Sequence, residues 1–118
     1  MTAADRLSDY VKQMTQGARD ALTFTEGMEF IEFDEFLADL RTQRAVVMCR
    51  MIIGEAASRI LSEHSAFAQT HPGIPWRGVR GMRNRIAHGY FDIDLAVVWR
   101  TVQAELPLLV ERLSAAKP

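Results

Sequence analysis

Apolar residues recur at three- and four-residue spacing along almost the whole chain, which is the period of a one-sided helix. From Ala4 to Glu26 the residues Leu7, Val11, Met14, Ala18, Ala21 and Thr25 form one stripe, and Gly27 is placed to end it. A short helical turn follows at Asp34–Ala38, anchored by Phe33, Phe36 and Leu37. Asp39 suits the N-cap of a long helix, Leu40–Gln69, whose stripe is Val46, Cys49, Ile53, Ala56, Ile60, His64 and Phe67. Gly54, Ala56 and Ala57 are small enough to let another helix approach closely. His71-Pro72-Gly73 is a stop signal, and Pro75 sits well in the first turn of a helix running to His88, with Gly89 as its C-cap. Asp92 or Asp94 caps a last helix to Ala115, striped by Leu95, Val98, Trp99, Val102, Leu106, Leu109 and Leu113. Pro107 should kink that helix or split it. No strand alternation or hairpin signal competes with this pattern. The expected fold is all-α: an up-and-down bundle of four main helices plus a short one, with residues 1–118 as a single domain.

Composition changes this picture little. At 118 residues, 48% apolar and 25% charged, the chain can bury a core without staples. A lone Cys49 excludes an internal disulfide and fits a reducing compartment. The chain shows neither a signal peptide nor a run long enough for a membrane span, so a cytoplasmic protein is expected.

The net charge of −1 does not point to nucleic acid, but its distribution does more. His64 to Phe91 holds no Asp or Glu, yet carries Arg77, Arg80, Arg83, Arg85 and all 3 histidines. A basic zone on an otherwise acidic body is an electrostatic footprint for an anionic ligand.

The faces of the fourth main helix sharpen this. A helix turns 100° per residue, so with Arg77 at zero, Val79, Met82 and Ile86 cluster between about 140° and 200° as the core face. His88 at about 20° and Asn84 at about 340° lie opposite, one turn apart. Arg85 falls at about 80°, and Arg83 at about 240°, roughly 140° from His88. Arg83 and His88 therefore do not converge on one straight helix. Either the helix distorts before Gly89, or two copies meet about a two-fold axis and line one cleft with both residues.

Arginine and histidine together suffice for cleaving RNA through its own 2′-hydroxyl. Histidine moves a proton near neutral pH, and arginine holds the phosphate and its developing charge. His64 reads as a core residue and His71 as a helix-end residue, so no metal site and no cofactor are expected. Cys49, the methionines and Trp99 read as packing. Trp76 could stack a base, though a packing role at the helix start fits it better.

These residues resemble the HEPN superfamily, which is marked by Arg, a polar residue, three or four further residues, then His. Here those are Arg83, Asn84 and His88. The extension Gly89-Tyr90 resembles the HepT branch, the toxins of HepT–MntA toxin–antitoxin systems. The likeness extends over "FLADLRTQRAVVMCRMIIGEAASRI" and "HPGIPWRGVRGMRNRIAHGYFDIDLAVVW", and so over nearly the whole chain. It implies a dimeric helical bundle with Arg–His sites at the dimer cleft and metal-independent endoribonuclease activity that slows growth. Arg83 and His88 would be catalytic and Asn84 supporting, with Arg77, Arg80 and Arg85 attracting RNA phosphate. Tyr90 corresponds to the tyrosine that a minimal nucleotidyltransferase antitoxin, MntA-like, modifies with AMP. Two other readings stand beside it: a non-catalytic HEPN module that docks such a nucleotidyltransferase, and a plain structural dimer.

Overall fold

A computed structural model describes residues 1–26, 32–116 and 118. Among them every regular element is helical: α1 (Ala3–Phe24), α2 (Glu32–Ala38), α3 (Leu40–Glu63), α4 (Ser65–Thr70), α5 (Trp76–His88), α6 (Leu95–Arg100) and α7 (Leu106–Ala115). A 3-10 turn, Tyr90–Asp92, follows α5, and a π-helical segment, Thr101–Glu105, joins α6 to α7.

Thr2 and Asp5 start α1 with a reciprocal capping box. Its stripe is buried as expected at Val11, Met14, Ala18, Ala21 and Thr25. The expected stop at Gly27 lies outside the described residues. In α2 the ring of Phe36 is fully buried and stacks at a tilt on Trp99, centroids 5.1 Å apart. Leu37, expected as a second anchor, is exposed, because so short a helix turns only one face inward. The carbonyls that end α2 are satisfied from α3: Gln43 Nε2 donates to Phe36 O and Leu37 O, both at 2.9 Å.

Asp39 caps α3 as anticipated. It accepts from Thr42 N at 3.0 Å and from the Thr42 hydroxyl at 2.6 Å. That hydroxyl bond, with the amide bond second, holds the carboxyl below its ordinary 3.8. A depressed carboxylate stabilises the fold fully above 3.8 and loses that contribution as pH falls through its folded value. Asp39→Ala is therefore expected to melt below wild type at neutral pH, with the gap closing below pH 3.8, as read by melting curves against pH.

The long helix expected at Leu40–Gln69 breaks at His64, whose backbone (φ −139°, ψ 47°) leaves the helical region. No Pro or Gly is responsible. The break is tertiary: it turns α4 so that Phe67 meets the rings of His71 and Trp76 while Ala68 joins the core. His64, expected in the core, is only half-buried, as the C-cap of α3. Pro107 acts through its neighbours. It occupies the first turn of α7, where its missing N–H costs nothing, and the turn before it widens into the π segment.

The core runs between α1, α3, α5 and the α6–α7 arm, and α3 packs on both α1 and α5. Glycines set both of those approaches. A Cβ at Gly17 of α1 would stand 2.9 Å from Ile53 Cγ1, and one at Gly54 of α3 would stand 2.1 Å from Arg83 Cβ and 3.0 Å from Val79 O.

Candidate active site

Helix α5 carries most of the candidate residues. Val79 and Ile86 are buried and Met82 half-buried, which fixes the inward face read from the sequence. The Cβ and Cγ of Arg83 lie directly against Gly54, so the side chain leaves α5 along the surface of α3. There Arg83 NH2 meets Glu55 Oε2 at 2.8 Å, and NH1 donates to Asn84 Oδ1 at 2.8 Å. Its Nε is buried and has no hydrogen-bond partner among the described residues. The guanidinium is thus oriented from two sides, by a carboxylate and an amide.

His88 ends α5 and is exposed, with no hydrogen bond among the described residues. Its cavity, about 560 Å³, is shared with Arg85, Ile86, Asp92 and Asp94. Arg83 lines a different hollow of about 280 Å³, with Gln13, Met51, Ile52 and Glu55. One chain therefore does not bring Arg83 and His88 into a single cavity. Asn84, placed by the helical wheel beside His88, is hydrogen-bonded to Arg83 instead.

Gly89 ends α5 with φ −152°, an extended conformation open to any residue, and a Cβ there would meet only ordinary contacts. The 3-10 turn beyond it presents Tyr90, half-exposed, edge-on to Phe91 with centroids 6.1 Å apart. Phe91 is 99% exposed, an apolar ring standing in solvent three residues after His88. Arg77 and Arg80 flank a separate hollow of about 460 Å³ at the start of α5. Trp76 is buried there and donates its indole N–H to His71 O at 3.0 Å, which commits it to packing. Arg85 faces two cavities, that of His88 and one floored by Arg50.

Glu55 and Arg50 went unnoticed in the sequence. Glu55 could be found only by placing α3 against α5. Arg50 left a signal, since it falls four residues after Val46 and three before Ile53, within the buried stripe of α3. Cys49 is buried, and burial raises its thiol to about 11, so it stays protonated and inert at neutral pH. Among the described residues no cluster of His, Cys, Asp or Glu is built to hold a metal, and no helix is long and apolar enough to cross a membrane.

An accessible imidazole and an oriented guanidinium on one helix provide a proton carrier and a phosphate anchor. The chain is similar to known proteins described as ribonucleases. The family model "Ribonuclease HepT-like" matches residues 2–116. "Probable ribonuclease HepT" of Thermococcus cleftensis is 38% identical over 101 residues, covering 86% of this chain and 86% of that protein. "Putative RNase MJ0127" of Methanocaldococcus jannaschii is 32% identical over 98 residues, covering 83% of this chain and 76% of its own. No solved structure matches the chain.

Proposed function

Since the chain belongs to the HepT-like ribonuclease family of the HEPN superfamily, we propose that it is a metal-independent endoribonuclease, the toxin of a cytoplasmic toxin–antitoxin pair. The observation that carries this reading is the exposed His88, at the end of the same helix that anchors Arg83. In the reaction His88 takes the proton of a ribose 2′-hydroxyl or gives one to the departing 5′-oxygen. The 2′-oxygen bonds to phosphorus as the P–O5′ bond breaks, which leaves a 2′,3′-cyclic phosphate and a 5′-hydroxyl. Arg83 stabilises the charge on the phosphorane-like transition state. Asn84 keeps the guanidinium in place, and Arg77, Arg80 and Arg85 draw in the RNA backbone.

Because Arg83 and His88 line different cavities of one chain, the working unit is a homodimer whose cleft takes both residues from both copies. Exposed apolar side chains lie close to both residues: Ile52 lines the hollow of Arg83, with Met48 one turn earlier, and Phe91 follows His88 by three residues. A single domain contributes one Arg83 and one His88 to that cleft. Control falls on Tyr90, exposed enough to be reached by an MntA-like nucleotidyltransferase. Its phenolic oxygen attacks the α-phosphorus of ATP, pyrophosphate leaves, and the resulting AMP diester sets a negative charge and a bulky group two residues from His88.

The separation of Arg83 from His88 also favours a second reading, a non-catalytic module that docks the nucleotidyltransferase. One experiment separates the two. Purified protein, shown by intact mass to carry no AMP, is incubated with transfer, ribosomal and messenger RNA in EDTA. Cleavage with cyclic-phosphate ends is the expected result. Intact RNA in every class would leave the docking module as the function.

A further inference from the structure

Arg50 lies in the middle of α3 at 6% exposure, and among the described residues its side chain makes no hydrogen bond or ion pair. Its Nε is buried without a partner. A guanidinium stays charged at any working pH, and a buried charge without a partner is costly, so such a residue marks a place where a counter-charge is missing. Burial weighs most against the cation, Glu105 favours it next, and the nearness of Arg85 weighs against it least.

This side chain lines a cavity of about 490 Å³ between α3, α5 and the α6–α7 arm, within the range of small-molecule sites. Arg85 and Arg112 also line it, as does Glu105, so three arginines face one carboxylate. Arg112 is held there by donating to Gly73 O. Both ends of the π segment, Thr101 and Glu105, border the space; π turns widen a helix and recur at functional sites. The remaining wall is apolar, chiefly Val79, Met82 and Leu109.

We propose that this cavity binds a phosphate monoester, gripped by Arg50 at the floor and by Arg85 and Arg112 at the mouth, with its organic body against the apolar wall. The surplus of two positive charges matches a monoester, which carries about −1.5 to −2 at neutral pH, better than a carboxylate or a diester. The planar forks of arginine match phosphate oxygens in pairs. The site gives Arg85 a role apart from the His88 cavity and holds whether or not the chain cuts RNA.

A free mononucleotide and the 5′-terminal phosphate of a strand share this chemistry. Calorimetry with AMP, and with a 2′-O-methyl oligoribonucleotide bearing or lacking a 5′-phosphate, tests both, since neither probe can be cleaved through a 2′-hydroxyl of an internal linkage. Saturable binding is expected, with Arg50→Met and the exposed-site variant Arg85→Gln each weakening it by about tenfold or more. Arg85→Gln keeps the test decisive should Arg50→Met fold poorly. A response to AMP alone identifies a free nucleotide, and a response to the phosphorylated strand alone identifies a terminal phosphate. No binding of either probe overturns the proposal. So does equal affinity in wild type and Arg85→Gln, or binding lost instead in Arg77→Gln/Arg80→Gln on the outer surface.

Discussion

RNA cleavage by the His88→Ala protein is expected to fall on the order of 10²–10⁴-fold, the range that positioned acid–base catalysis contributes. Its melting temperature should scarcely change. His88 is exposed, ends its helix and makes no hydrogen bond among the described residues, so its removal opens no cavity and strands no partner. What the fold loses is the favourable placement of an imidazole at the C-terminal end of α5, at most about 1 kcal/mol at an exposed position. The comparison needs kcat and KM measured separately. A proton carrier acts in the transition state, so kcat should carry the loss. Equal cleavage by mutant and wild type, with both proteins folded, would remove His88 from the chemistry.

The largest effect on stability should come from a single methyl group at Gly54. In Gly54→Ala the new Cβ would stand 2.1 Å from Arg83 Cβ and 3.0 Å from Val79 O. Neither is the free end of a flexible side chain: one is fixed to the backbone and the other belongs to it. Helices α3 and α5 must therefore separate, at a cost of about 2–3 kcal/mol for overpacking, or a fall in melting temperature on the order of 10 °C. Gly73→Ala is the control, because a Cβ there meets nothing within 4 Å. The same separation moves Arg83 away from Glu55, so any ribonuclease activity should decline with stability. If Gly54→Ala melted with wild type, the close approach of α3 and α5 would be wrong.

Much of this architecture is written into residue spacing. The stripes of α1 and of the α6–α7 arm can be read directly, because each helix buries one side and a period of 3.6 survives any detail of packing. The same arithmetic places Arg83 and His88 on different faces of α5. Gly54 is legible as a small residue, but which side chain it admits is not. The break at His64 carries no local mark, since Ser65 to Thr70 forms helix on either side of the question and only the demand of Phe67 for Trp76 decides it. Glu55 is invisible for a related reason: its partner is 28 residues away, and the bond depends on the register of two helices. Arg50 was legible but easy to overlook, because a charged residue in a buried stripe looks like an interruption of the pattern.

The ion pair of Arg83 with Glu55 has a bearing on how binding should respond to salt. Each protein cation that meets an RNA phosphate frees a mobile counterion from the strand, and affinity falls with salt according to the number freed. On the proposed function, a phosphate that met Arg83 would compete with Glu55, and a displaced carboxylate would gather a mobile cation of its own. The net release at Arg83 would then be close to nothing, so it would contribute little to the slope of affinity against salt. Arg77 and Arg85 are exposed and form no ion pair among the described residues, so that slope would report chiefly on them. The carboxylate on α3 would thus make Arg83 a selective anchor, one that a dilute polyanion does not capture by charge alone.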